Sequence, residues 1–224
     1  MSPSAPGEPP SGTVPPASGA LARCPACGGP LYGWIEAPAA DARRGEAYVL
    51  DRCESCGLGL VREGELDPRA VIATGRRTTE GRVELAVPNR RSLQAALGEG
   101  RWAALALPER GYVLTPRSLA ALLERAGYRI EHQRFPLAGR NQLWMWQTLM
   151  NALTLHPNFA REALGGRLRP SSGRGSLAFV LDAVVSIVAA PLVAILSVPV
   201  EAIAAVARRG GLIAATAVPA ARET

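Results

Sequence analysis

The chain has 224 residues and a formal charge of +6, from 25 cationic side chains, all arginine, against 19 carboxylates. That length holds one modest domain with a small module beside it, and excludes a large multidomain assembly. The charge is scattered in short pairs such as Arg43-Arg44, Arg76-Arg77, Arg90-Arg91 and Arg208-Arg209, and aromatic residues make up only 5% of the chain. With no basic stripe interleaved with aromatics, nucleic-acid binding is not the expected function.

Residues 1–20 are Pro, Ser, Gly and Ala with almost no large apolar groups. They cannot bury a core and are expected to be disordered. The N-terminus, Met1-Ser2-Pro3-Ser4, has neither a basic n-region nor an apolar h-region. The expected location is therefore the cytoplasm, a reducing compartment.

Residues 21–62 carry the strongest signal. Cys24 and Cys27 flank Pro25-Ala26, and Cys53 and Cys56 flank Glu54-Ser55, with a glycine after each pair. A CxxC turn points two sulfurs to one side, and the glycine lets the backbone turn tightly around a metal. The four cysteines are the full complement of the chain. Two such turns about 25 residues apart can close a tetrahedral four-thiolate site. Two disulfides or a dithiol redox pair are the competing readings; a reducing location favours structural Zn2+ at Cys24, Cys27, Cys53 and Cys56. Tyr48–Arg52 reads as a strand into the second pair.

Residues 63–80 are polar and read as a linker. Arg82–Pro88 alternates like a strand and stops at Pro88. Arg91–Leu97 reads as a short helix ended by Gly98. Thr115–Gly127 is the best helix, with Thr115 as N-cap, Pro116 in the first turn and Gly127 as stop. Leu119, Leu122, Leu123 and Ala126 share one of its faces. Tyr128–Phe135 alternates and reads as a strand. Residues 141–156 form an apolar helical stretch, 165–176 a Gly/Arg/Pro/Ser loop, and 210–218 a final strand. Trp102, Trp144 and Trp146 are expected in the core. His132 and His156 are not spaced to join a metal or a nucleophile, and read as surface or structural histidines. No Ser-His-Asp order, nucleophile elbow or P-loop occurs.

Residues 177–206 are strongly apolar, and Ala183–Val200 contains no charge. About 18 such residues reach the length of a membrane-span candidate. Asp182 and Glu201 bracket the stretch, and Pro191 and Pro199 interrupt it. If residues 211–218 return to the sheet of residues 82–87, this stretch cannot cross a bilayer once. A span, an interfacial anchor and a buried or dimer-forming helix all stay open.

Several short motifs occur in a telling order. Val87-Pro88-Asn89-Arg90-Arg91-Ser92-Leu93-Gln94 is followed by Gly100-Arg101-Trp102, then Leu114-Thr115-Pro116-Arg117-Ser118-Leu119 and Leu123-Glu124-Arg125-Ala126-Gly127-Tyr128. Arg209-Gly210-Gly211-Leu212-Ile213 closes the series. In order and spacing these resemble the C-terminal half of class I S-adenosylmethionine (SAM)-dependent methyltransferases, many of which carry an N-terminal zinc ribbon. The resemblance covers the ribbon and most of residues 81–218. It implies an α+β fold, a zinc ribbon followed by a truncated Rossmann-like half with a long apolar helical segment.

The family binds SAM on a Gly-rich loop after its first strand, with an acidic residue at the end of the second. Such a unit takes roughly 100 residues. Only residues 60–80 lie between the ribbon and the strand resembling the fifth, and they contain no D/E-x-G-x-G. The familiar "P.H" reads Pro108-Glu109-Arg110. The expectation is therefore a non-catalytic relative, SAM not being its expected cofactor, that acts as a binding or accessory protein. Its partners would be a second copy or a complete methyltransferase. An active methyltransferase with an atypical cofactor site and a membrane-associated zinc-ribbon protein are the alternatives.

Overall fold

A computed structural model of the protein describes residues 23–38, 47–62, 64–107, 110–137, 139–165 and 174–220. The disorder expected at residues 1–20 lies outside these residues.

In chain order the elements are β1 (Leu31–Pro38), β2 (Ala47–Cys53), β3 (Gly59–Val61), α1 (Pro68–Ala73), β4 (Arg76–Arg77), β5 (Val83–Pro88) and α2 (Leu93–Gly98). A 3-10 turn at Glu99–Arg101 follows, then β6 (Tyr112–Val113), α3 (Pro116–Arg125) and β7 (Tyr128–Arg134). The chain continues through α4 (Arg140–Leu153), α5 (Phe159–Leu164), α6 (Arg174–Val206) and β8 (Leu212–Pro219).

The protein is mixed α/β. Its strands form two four-stranded sheets, ordered β1-β2-β3-β6 and β4-β5-β8-β7. Among the described residues every pair of hydrogen-bonded neighbouring strands is antiparallel, the isolated Asn89–Leu114 bridge alone being parallel, so the parallel pairing expected of a Rossmann-like half is not made between adjacent strands. The reason lies in β8. It enters the slot between β5 and β7, which run in the same direction, and pairs antiparallel with both.

Residues 63–80, expected as a linker, are ordered differently. Asp67 accepts the Arg69 N–H and caps α1, with Pro68 in the first turn. Val71 and Ile72 of this helix are buried, and β4 then pairs with Val83 and Glu84 at the edge of β5. The ribbon also reaches beyond its expected boundary at residue 62. β3 is only 3 residues long, and its open edge is covered by β6 through Gly59–Val113 and Leu60–Tyr112. Covering a short edge in this way avoids unpaired backbone groups.

Alternation sets which face is inside. Val83, Leu85 and Val87 of β5 point with Ile213, Ala215 and Ala217 of β8 into a core completed by α1 and by Leu119, Leu122 and Leu123 of α3. Thr115 and Ser118 form a reciprocal cap on α3, and Gly127 takes the left-handed φ of 81° that ends it. A second core joins Ala37 and Leu50 of the ribbon sheet to Trp102, Leu105 and Leu107. Trp102 is buried as expected, and Trp144 and Trp146 are partly buried against the cores. A third core holds α4, α5 and α6 together through Met150, Ala160 and Val193.

α6 is 33 residues long, about 50 Å. It starts at Arg174, inside the expected 165–176 loop, and continues through Pro191 and Pro199. Its Leu177–Val206 stretch is, by length and composition, long and apolar enough to cross a membrane.

Candidate metal centre

The two CxxC turns fold alike. Cys24 N–H donates to Gly29 O (2.7 Å) and Gly28 N–H to Cys24 O (2.8 Å); Cys53 N–H donates to Leu58 O (2.9 Å) and Gly57 N–H to Cys53 O (2.8 Å). Gly28 and Gly57 sit at φ of 74° and 77°, which an L side chain adopts only under strain. A Cβ on Gly57 would also lie 2.8 Å from Thr115 Cγ2.

This geometry brings all four predicted cysteines together. Their Sγ atoms lie within 4.8 Å of one another. Cys24 and Cys56 approach to 3.6 Å and Cys27 and Cys53 to 3.4 Å. A disulfide needs about 2.05 Å, so these are not disulfides. The edge of a tetrahedron with metal–sulfur bonds of about 2.3 Å is about 3.8 Å, and the cluster fits that size. Four cysteines leave no open coordination position, so a metal here would join chain segments and would not activate water.

The surroundings suit a thiolate site. Burial raises Cys24 to about 11 and pushes Cys56 up further. At Cys53 burial is outweighed by hydrogen bonds from the backbone of Cys56 and Ser55 and from Cys27, and the thiol falls to about 7. A thiolate ligand is therefore easiest to form at Cys53, and a metal has to supply the rest of the driving force.

Two groups that the sequence did not single out for this role brace the second turn. Thr115 Oγ1 donates to Cys56 O at 2.6 Å while accepting the Ser118 N–H at 3.0 Å. Arg90 Nε donates to Gly57 O at 2.8 Å, and its guanidinium lies 4.6 Å from the Trp34 ring centroid. Burial, with Arg52 and Arg91 nearby, lowers Arg90 to about 10. A cation so placed offsets the net negative charge of a divalent metal with four thiolates. Thr115 was legible only as a helix cap. We expect Thr115→Ala to destabilise the protein by about 2 kcal/mol, the loss of a cap plus an orphaned knuckle carbonyl; urea denaturation measures it.

No family model, no curated protein and no solved structure matches this chain. The functional reading therefore rests on the residues. Besides the cysteines, two buried acids were legible only as the ends of the charge-free stretch. Asp182 accepts the Leu155 and His156 N–H groups at 2.6 and 3.0 Å and contacts His156 Nδ1 at 2.8 Å. Glu201 accepts from Gln94 Nε2 at 2.7 Å, from the Gly211 N–H at 3.0 Å, and from Asn141 Nδ2. His156 is thus a structural histidine, and His132 is exposed on β7.

Proposed function

We propose that the protein is a non-catalytic membrane-surface module, stabilised by structural Zn2+ at Cys24, Cys27, Cys53 and Cys56 and related to class I SAM-dependent methyltransferases. One observation carries the membrane reading: α6 is inside out. Asp182, Ser197 and Glu201 are buried against the body. The opposite half of the helix presents Ile187, Leu192, Ile195, Ile203 and Val206, which are 61–80% exposed. A water-facing helix has the reverse pattern. Polar groups turned inward and large aliphatics turned outward match a lipid environment.

The helix reads as lying on a membrane and not crossing it. Asp182 near one end and Glu201 near the other hold it lengthwise to the same body. β7 before it and β8 after it pair with each other. An apolar half-cylinder at the interface satisfies both constraints.

The relation to methyltransferases is supported by the order and spacing of the motifs at residues 87–94, 100–102, 114–128 and 209–213. The non-catalytic reading is supported by the short segment before β5, where α1 and β4 stand in place of a Gly-rich loop. Saturable SAM binding in a calorimetric titration of the metal-loaded protein would overturn it.

The membrane test is co-flotation with phosphatidylcholine vesicles. Wild type is expected to float, and Ile187→Glu with Ile195→Glu to stay in solution with an unchanged melting temperature, since both side chains are exposed. Wild type that remains soluble and sediments as a dimer disrupted by the same pair would replace the lipid with a second copy.

A further inference from the structure

An open cavity of about 1140 Å³ lies where the apolar helix ends, lined by Arg91, Arg134, Phe135, Val206, Arg208 and Arg209 among others. Among the described residues it is bordered by four arginines and no acidic residue. Among the described residues none of the four guanidinium groups is in an ion pair. Arg62, Arg76 and Arg82 pair with acids, whereas Arg69, Arg77, Arg117, Arg125 and Arg129 stand singly without one, so what sets the cavity apart is four such arginines around one concavity. The concavity is thus a local excess of positive charge in a chain whose charge is otherwise scattered.

A second observation is backbone strain. α6 ends in a Schellman turn, with Arg209 N–H bonded to Ala204 O (2.7 Å) and Arg208 N–H to Ala205 O (3.0 Å). The turn puts Arg208 at φ 58°. Glycine is the residue that takes this position without strain. Here the strained position carries an arginine, although Gly210 stands only two residues further on. Strain retained at a charged residue beside a cavity points to a use for that side chain.

We propose that this cavity binds the phosphate of an anionic phospholipid headgroup, with an acyl chain running along Val206 and Ile203 of α6. Guanidinium groups match phosphate oxygens in pairs. The carbonyls at the C-terminus of α6 would repel an anion, so the arginines themselves must supply the attraction. The adjoining apolar face selects a lipid over a free phosphate. The inference rests on the interfacial reading of α6.

The test uses metal-loaded full-length protein and vesicles of phosphatidylcholine alone or mixed with phosphatidylglycerol, at one ionic strength. Wild type is expected to float with both and to prefer the mixture. Arg208→Gly with Arg209→Gln should cut the preference about 30-fold while leaving the binding to neutral vesicles intact. Arg208→Gly alone relieves the left-handed strain, so its melting temperature should not fall, and it should still lose part of the preference. Arg125→Gln with Arg129→Gln removes the same charge elsewhere and should keep the preference. An equal loss in that control, or a preference that survives in the cavity variants, overturns the proposal. So does inorganic phosphate that abolishes the preference where chloride does not, because the site would then hold free phosphate. Equal binding of wild type to both vesicles sinks this inference alone; binding to neither sinks the interfacial reading too.

Discussion

Stripping the proposed zinc from the four-cysteine site with a chelator should unfold the whole protein and not the ribbon alone. Cys24, Cys53 and Cys56 belong to the same core as Leu85 of β5, Leu119 and Leu122 of α3 and Ile213 of β8. The second CxxC turn also carries the Thr115 and Arg90 hydrogen bonds. Structural zinc in small sites contributes about 10–16 kcal/mol, and a whole domain is stable by about 5–15 kcal/mol. Removing the first quantity exhausts the second. Hydrogen exchange measures it: protection at β5 and β8 should vanish together with that at β1 and β2. Loss confined to residues 23–62 would show that the ribbon is an independent unit. Cys56→Ser should give the same result in graded form. Acidification should release the metal as well, because the ligands must be thiolates.

The second large effect is expected at Glu201→Ala, a loss of about 3–5 kcal/mol. Glu201, Gln94 and Asn141 are each 0% exposed. The carboxylate collects donors from α2, α4 and the start of β8, and Gln94 Nε2 also donates to Asn141 Oδ1 at 3.0 Å. The alanine leaves those donors buried and unpaired. Glu201→Gln keeps one acceptor oxygen but turns a second donor towards the Gln94 amide, and should cost about 1–2 kcal/mol. Thermal unfolding of the variants beside wild type ranks them. A Glu201→Ala protein as stable as wild type would remove the acid as the clamp of α6.

What was legible in the sequence is what local chemistry encodes. The cysteine pairs, the Thr115-Pro116 cap, the alternation of Val83–Pro88 and of Tyr128–Arg134, and the Gly210-Gly211 entry to β8 all state their own structure. What was not legible depends on partners distant in the chain. β4 is a pair of arginines with no strand signal, and exists because β5 needs an edge. β6 is likewise called into being by β3. α1 did leave a signal, Asp67-Pro68, the same cap-and-proline logic as Thr115-Pro116. Asp182 and Glu201 looked like the polar ends of an apolar run, whereas their side chains turn inward. Periodicity could not reveal this, because a helix that is apolar over most of its circumference gives little phase from which to choose a face.

The slot between β5 and β7 also orders events in time. β5 is made early, yet its partner on that side is β8, as Val83 to Ala217 and Pro88 to Leu212. Until β8 arrives, β5 and β7 are unzipped strands with open edges, the state most prone to sticking to other chains. α6 is synthesised within that interval, immediately before the strand that closes the sheet. A nascent chain therefore carries its exposed apolar helix before its sheet is finished. On the membrane-surface reading proposed above, docking at the lipid would come first, holding the strands apart from their neighbours while the last piece threads into the middle.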